Sequence, residues 1–407
     1  MYIFLKVFVF LLVMAPFSAK ADLFTITLSQ AGAGTVTKGF TSVIDIFDKY
    51  QNGELDTILA NYDKNLAADA ALNFRGIDMS LNYTGAGADS TLHFTVPSLG
   101  IDEVFGGAGN TQEQAFAKFK AYLKENQSDL LTKILKESVS HTPYDSVAGN
   151  PSSLMSQMAD MAFTNPTQNV TEHAVASQQS GGFVLLSPSA TQHKIKGADG
   201  IERTTTTMSL PLGYTFKLAN NWAIGIDMPL SYVDMDGSKT YAVQMGVNLQ
   251  IPLYNEKWLL TLSGRAGATA SEDSLSGGIL YMASATSRFT QKIGDNSALV
   301  LINMFGVVKD YTLDVEGYNI KYGLKNNVYK NGLEFRQKLS EKTALTVFGY
   351  DTCYTGSDLY VDSYDEVGIR FTKYFDKDSF FAGVDFTATY IFGNNYKAYN
   401  AGLSFLF

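Results

Sequence analysis

Four imidazoles are available to this chain for acid–base or nucleophile-activating chemistry: His93, His141, His173 and His193. A hydrolytic centre needs one of them within hydrogen-bond reach of a serine or a carboxylate. No histidine follows residue 200. Only His193, which the strand assignment below puts in a first outer loop, can reach an outer rim, and there it reads as a solvated loop residue. Cys353 is the one cysteine, so no intrachain disulfide forms. Asp234-Met235-Asp236-Gly237-Ser238 opens like a calcium loop, yet no acidic residue stands where such a loop must close. Asp-Gly is also an ordinary hairpin turn. Glycine-rich phosphate loops and metal-ligand clusters are absent. No catalytic residue, metal or cofactor is assigned, and the chain is not read as an enzyme.

The chemistry that remains is charge, and its placement depends on the strands that carry it. From residue 204 onward the dominant period is 2. Met208, Leu210, Leu212, Tyr214, Phe216 and Leu218 share one face, with Thr207, Ser209, Gly213, Thr215 and Lys217 on the other. Tyr241, Val243, Met245, Val247, Leu249, Ile251 and Leu253 likewise oppose Gln244, Gly246, Asn248 and Gln250. Such runs are longer than the about 5–6 residues of ordinary strands and match the about 9–11 that a tilted membrane strand needs. Tight connections such as Ala219-Asn220-Asn221, Asn255-Glu256-Lys257 and Ser340-Glu341-Lys342 alternate with long polar ones at 310–327 and 353–365. Trp222 and Trp258 both follow tight turns. They are expected in an aromatic girdle at one membrane interface, with Tyr232 and Tyr241 at the other. Strands are expected near 204–218, 222–233, 240–254, 258–269, 278–293, 297–309, 325–339, 343–353, 365–375, 379–392 and 396–407. Gly182–Ser187 supplies a first strand and an even count of about twelve. With apolar faces toward lipid, Lys217, Asp227, Arg265, Arg288, Lys330, Glu334, Arg336, Lys338, Arg370 and Asp385 face the lumen, since charge toward hydrocarbon costs about 2–4 kcal/mol per residue at the midplane. That interior is then wet or salt-bridged.

The first half reads differently. Residues 1–21 form a signal peptide: Lys6, an apolar run from Val7 to Ala15, then Ala19-Lys20-Ala21 as a cleavage site. Residues 22–163 read as an α+β domain. Val43, Ile44, Ile46, Phe47 and Tyr50 have helical spacing, and Ala71–Tyr83 and Thr91–Val96 form a hairpin. Asn110 with Glu113 is a capping box before an amphipathic stretch from Phe116 to Leu135, which Pro143 ends. Asn150-Pro151 opens a helix bearing Met155, Met158 and Met161, whose stripe is read as ordinary packing. A polar linker follows at 164–181, and the barrel occupies 182–407. The fold class is thus an α+β N-terminal domain followed by an all-β antiparallel transmembrane barrel. The aromatic content of 13% and the 35 glycines suit such walls, and the net charge of −9 argues against nucleic acid.

The last strand places Tyr399, Ala401, Leu403, Phe405 and Phe407 on one face. This resembles the C-terminal signature of Gram-negative outer-membrane β-barrel proteins. The resemblance implies export to the cell outer membrane and reading of Tyr399, Leu403, Phe405 and Phe407 by the barrel-assembly machinery. The order of signal, N-terminal domain, linker and barrel also resembles that of autotransporters. The leading expectation is a pore or transporter in which the ten lumen charges set selectivity and the N-terminal domain is a plug, gate or periplasmic module. The alternatives are autotransporter-like display of that domain, or a structural or adhesive surface protein using loops 310–327 and 353–365. Expected partners are outer-membrane lipid and lipopolysaccharide, and small solutes or a secreted segment in the lumen. Asp351, Asp358, Asp362, Asp365 and Glu366 read as a solvated loop in preference to a site for cations among lipopolysaccharide phosphates.

Overall fold

The computed structural model describes residues 24–40, 59–61, 63, 65–85, 89–164, 183–197, 200, 202–218, 221–254, 257–271, 273, 276–315, 318–375, 382–394 and 396–406. The signal peptide, the helix expected on Val43–Tyr50, the linker from 165 onward and Phe407 lie outside these residues.

Strand β1 (Phe24–Gln30), β2 (Gly34–Phe40), β3 (Ala68–Phe74), β4 (Ile77–Tyr83), β5 (Thr91–Val96) and β6 (Ile101–Gly106) form an antiparallel sheet in the order β2-β1-β3-β4-β5-β6. The run expected to be one strand over 71–83 is itself a hairpin. It turns at Arg75-Gly76, where both residues have positive φ (54° and 90°), a conformation that glycine adopts freely. Helix α1 (Gln112–His141) lies on this sheet, with Phe119 packed among Phe94, Phe105 and Tyr122. Its capping box is Thr111 with Gln114, one residue after the expected pair: Thr111 Oγ1 accepts from Gln114 N, and Gln114 accepts from Thr111 N at 2.9 Å. Asn110 instead turns back to donate to the Ala108 carbonyl. Helix α2 (Leu154–Thr164) starts after a turn in which the Asn150 side chain accepts from Ser152 N.

The rest is a closed barrel. Its first strand is split into β7 (Phe183–Leu186) and β8 (Ser189–Lys196) at Pro188, which has no N–H to give a ladder. Then come β9 (Glu202–Lys217), β10 (Ala223–Met235), β11 (Ser238–Tyr254), β12 (Trp258–Ser271), β13 (Ser276–Lys292) and β14 (Ser297–Tyr311). A small external hairpin, β15 (Leu313–Val315) and β16 (Tyr318–Ile320), precedes β17 (Lys325–Ser340), β18 (Thr343–Gly356), β19 (Ser363–Tyr374), β20 (Gly383–Gly393) and β21 (Tyr396–Leu406). Strand β21 pairs with β7 and β8, which pair with β9, so twelve antiparallel strands close without an edge.

Tyr241, Val243, Met245 and Val247 are 62%, 45%, 58% and 47% exposed, whereas Gln244, Asn248 and Gln250 are 2%, 0% and 1% exposed. Apolar side chains outside and polar ones inside invert the arrangement of a soluble sheet and fit a barrel wall in lipid. Among the described residues no helix is long and apolar enough to cross a membrane; the crossing is made by strands. The inner face is not wet or salt-bridged throughout. Along β13, β14 and β17 it carries Leu280, Met282, Val300, Ile302, Met304, Val308 and Val328, each at most 3% exposed. This apolar wall exists because something packs on it.

Candidate functional site

The occupant of the lumen is α2. Its direction can be read from two contacts with β13. Ser146, just before the helix, meets Ser276 Oγ at 2.9 Å where β13 begins, while the Ala162 carbonyl near its end accepts from Thr286 Oγ1 at 3.5 Å, ten residues further along. The end where α2 enters carries the connections 312–324 and 357–362; the opposite end carries turns such as 293–296 and 341–342, besides one longer connection at 375–382. The helix thus enters at the long-connection mouth and runs inward.

Leu154, Met155, Met158, Ala159, Ala162 and Phe163 are each no more than 1% exposed. The Met stripe therefore packs, but against the barrel and not against the N-terminal sheet. Glycine makes room for it. A Cβ on Gly267 would lie 2.9 Å from Leu154 Cδ1, and one on Gly332 would lie 2.8 Å from Phe163 Cζ. Phe163 meets Tyr350 edge-on, with centroids 5.0 Å apart.

The ten charges expected in the lumen fall into separate groups. Lys330 Nζ lies 2.7 Å from Asp160 Oδ1 of α2 and also binds Glu366, with its ammonium 5.3 Å from the Phe163 ring. Glu334 collects Arg288 at 2.9 Å, Arg336 at 2.8 Å and the Tyr350 hydroxyl at 2.7 Å, with Arg370 at 3.9 Å. Asp227 accepts from Arg265 at 2.7 Å and Asn248 at 2.8 Å. Asp385 is buried near the cleft described below. Lys217 and Lys338 stand near the short-turn ends of β9 and β17, Lys338 exposed. Most of this charge is neutralised by direct partners, which limits its field on a passing ion.

At the mouth, Asp145 ties three parts together. It is fully buried and accepts from Arg75 at 2.8 Å, from Val147 N at 2.8 Å and from the Tyr322 hydroxyl at 3.3 Å. Arg75 belongs to the β3–β4 turn and Tyr322 to the β16–β17 connection. Burial, and then the Asp145 charge, push the Tyr322 phenol well above its usual range. Arg203 of β9 donates to the Tyr144 hydroxyl and lies 4.6 Å from that ring's centroid. Phe24, Phe40, Tyr144 and Met235 form an apolar cluster beside it. The β18–β19 connection is clamped on: Tyr360 N donates to Val139 O and Val361 N to Gly149 O. The N-terminal sheet is thereby seated on the long-connection end of the barrel. The β10–β11 turn is a hairpin turn in which Gly237 N donates to Asp234. Asp236 there is pushed up to about 6, chiefly by burial.

Trp222 and Trp258 face outward at the short-turn end. Toward the other end Tyr232 pairs with Tyr241 at 5.5 Å, Tyr281 with Tyr311 at 5.9 Å and Tyr390 with Tyr399 at 5.2 Å between ring centroids. Tyr399, Leu403 and Phe405 alternate with the cleft-lining Asn400, Gly402 and Ser404 on β21, and Tyr399 is exposed. His193 corrects the sequence reading: it lies in β8, buried, with Nδ1 2.6 Å from the Tyr396 hydroxyl. The pairing of β8 with β21 makes position 193 part of the wall and not of a loop. Asp160, Asp145, Arg75 and Tyr322 were not singled out by the sequence reading. Asp160 carried a signal, as the one charged residue of a Met- and Ala-rich helix.

Beside α2, toward β8, β9, β20 and β21, a cleft of about 270 Å³ remains, lined by hydroxyls and by Lys330, Glu366, Arg370 and Asp385. Among the described residues no cluster of three or more His, Cys, Asp or Glu side chains is placed to hold a metal ion.

No family model matches this chain, and no curated protein matches it. Solved structures similar to it are outer-membrane β-barrels. The translocator domain of autotransporter NalP from Neisseria meningitidis is 12% identical, with 62% of this chain and 96% of that chain covered at a TM-score of 0.46. The beta domain of the Bordetella autotransporter BrkA is 12% identical, covering 56% and 99% at 0.42. An outer membrane channel from Pseudomonas putida F1 is 14% identical, covering 56% and 95% at 0.43. The closed twelve-strand barrel and its outward apolar belt make the chain a membrane-spanning β-barrel protein.

Proposed function

We propose that this barrel holds its own N-terminal domain at the cell surface, anchored by α2 threaded through the lumen. The observation that carries this reading is the direction of α2, which enters from the long-connection mouth where the sheet domain is seated. Long connections face outward and short turns face the periplasm in barrels of this kind. The protein is then a non-catalytic display unit, assembled through its last strand and bordered by lipid and lipopolysaccharide. The lumen charges Asp227, Arg265, Arg288, Lys330, Glu334, Arg336 and Arg370 hold the wall and helix together in preference to selecting ions.

An epitope inserted at Gly107-Ala108, in the β6–α1 connection, tests this. Protease added to intact cells should remove it. Protection until the cells are permeabilised would place the domain in the periplasm and return the plugged pore as the better reading. That second reading is favoured by one observation, the cleft that α2 leaves unfilled.

A further inference from the structure

We propose that the outward wall at Asn303 and Asn331 is the contact through which two copies of this chain associate side by side in the membrane. The inference concerns the lipid-facing surface and holds whichever side of the membrane the N-terminal domain occupies.

Strand register brings polar side chains into one row on the outside of the barrel. Ser287, Asn303, Asn331, Asp351 and Asp365 are successive cross-strand partners on β13, β14, β17, β18 and β19. Asn303 stands between the buried Ile302 and Met304 and shares its face with Leu301 and Phe305, 48% and 45% exposed. Asn331 stands between Lys330 and Gly332, which face the lumen, and shares its face with Tyr329 and Leu333. Asp351 alternates in the same way with the buried Tyr350 and Thr352. Both asparagines and both aspartates are exposed.

The depth of this row follows from the one beside it. One row nearer the short turns, cross-strand partners run continuously from Trp258 through Leu301, Leu333 and Val367 to Tyr390 and Tyr399. That row starts at the tryptophan girdle and ends at the tyrosine girdle, so rows climb across the wall. Asp351 and Asp365 therefore rise toward the long-connection interface. Asn303 and Asn331, each the seventh residue of strands 15 and 16 residues long, lie in the middle of the belt.

Hydrocarbon offers these amides no partner. Asn303 Nδ2 donates to Asn331 Oδ1 at 2.8 Å, and Asn331 Nδ2 donates to Asp351 Oδ2 at 3.3 Å. Each amide keeps a second N–H, and Asn303 keeps its Oδ1, without a partner among the described residues. Polar side chains at membrane depth mark contacts. Irregular backbone does not cover them, because its own N–H and C=O groups would be unsatisfied there; a second folded wall can. An amide carries both donor and acceptor, so an identical wall is complementary to it. A two-fold axis along the membrane normal brings like residues together. Because the row climbs, that axis sends the Asp351 and Asp365 arms of the two copies to opposite sides, where the curved walls diverge, and like charges do not meet.

The test uses the full chain in a Cys353→Ser background, in membranes of the cells that express it, with copper phenanthroline as oxidant. Leu301→Cys, two residues from Asn303 on the same face, should give a crosslinked dimer. Met228→Cys, exposed on β10 at the far side of the barrel, should not. Adding Asn303→Leu and Asn331→Leu, in a variant that keeps its heat-modifiable gel mobility, should lower the Leu301→Cys dimer roughly tenfold or more, the effect of losing one or two hydrogen bonds within a membrane. A dimer undiminished by the two leucines overturns the proposal. So does the absence of a dimer from Leu301→Cys, or an equal yield from Met228→Cys, which would report random collision. A crosslinked band of another mass would assign this wall to a different membrane protein and overturn the second copy. If the double variant does not fold, sedimentation of the parent chain in neutrally buoyant micelles decides: twice the chain mass supports the proposal and a single mass overturns it.

Discussion

Lys330 of the barrel wall and Asp160 of the lumen helix are 2.7 Å apart, and Glu366 completes the coordination of the same ammonium. Helix and wall thus share one charge set, in which Lys330 and Glu366 are buried and Asp160 is partly exposed, and its members are not equivalent. Lys330→Met would leave Asp160 and Glu366 facing each other with no cation between them. Removing one partner of a buried ion pair typically costs about 3–5 kcal/mol. Asp160→Asn leaves Lys330 with Glu366 and should cost much less. Denaturant unfolding in micelles should rank Lys330→Met well below Asp160→Asn, with the triple change Lys330→Met, Asp160→Asn, Glu366→Gln recovering most of the loss. Equal effects from the two single changes would show that the triad is not the unit.

Gly332 gives a second handle on the helix. Its Cβ position lies 2.7 Å from Tyr350 Cδ1 and 2.8 Å from Phe163 Cζ, so Gly332→Val must move a ring. Overpacking of this kind costs about 1–3 kcal/mol. Because the clash involves Phe163 as well as Tyr350, Phe163→Ala should relieve part of it and give the Tyr350 ring room to shift, although Phe163→Ala alone destabilises. A double-mutant cycle measured by thermal gel-shift should therefore give a favourable coupling. Strict additivity would mean that the helix does not pack there.

How far all this was readable in the sequence follows from the periods involved. Alternation fixes which residues of β11 face lipid, because a strand offers only two faces and hydrocarbon rejects charge. It does not say what fills the lumen. The helix α2 itself was legible from Met155, Met158 and Met161; a trace of its place in the lumen was β14, where Leu299, Val300, Leu301 and Ile302 run without alternation. That is the pattern of a strand buried on both faces. Asp145 shows why the mouth stayed hidden. Its partners Arg75 and Tyr322 are brought to it from sequence separations of 70 and 177 residues, and no local pattern marks such a meeting. His193 was misplaced for a related reason. The first strand continues past Pro188, and its pairing with β21 and β9 shows that.

The Arg75–Asp145 pair predicts separable stabilities. It joins the sheet domain to the mouth: Arg75 donates to Ser138 and Asp145, and the Tyr322 hydroxyl donates to Asp145. Arg75→Ala should loosen the sheet while leaving the barrel intact. Amide hydrogen exchange should accelerate across β1 to β6, and the heat-modifiable gel mobility should stay unchanged. Loss of both together would mean that sheet and barrel form one cooperative unit.

The hairpin at Asp236 predicts a pH dependence of defined sign. Burial raises its carboxyl to about 6, from an ordinary value of 3.8, so the folded protein holds the proton more tightly than the unfolded chain. Below the unfolded value both states are protonated and the residue costs nothing. As pH rises from about 4 to about 6, the unfolded chain ionises first, and stability falls across that window. Above about 6 the cost is constant, because the charge is then present in both states. Asp236 has a φ of 50°, a conformation that asparagine shares with aspartate more readily than other residues do. Asp236→Asn should therefore keep the turn, raise stability at pH 7 and flatten the profile between about pH 4 and 6. Unfolding curves of both proteins across that range give the comparison. A variant less stable than the parent at pH 7 would show that the ionised carboxylate contributes a favourable contact, for instance to Arg203, that outweighs its burial.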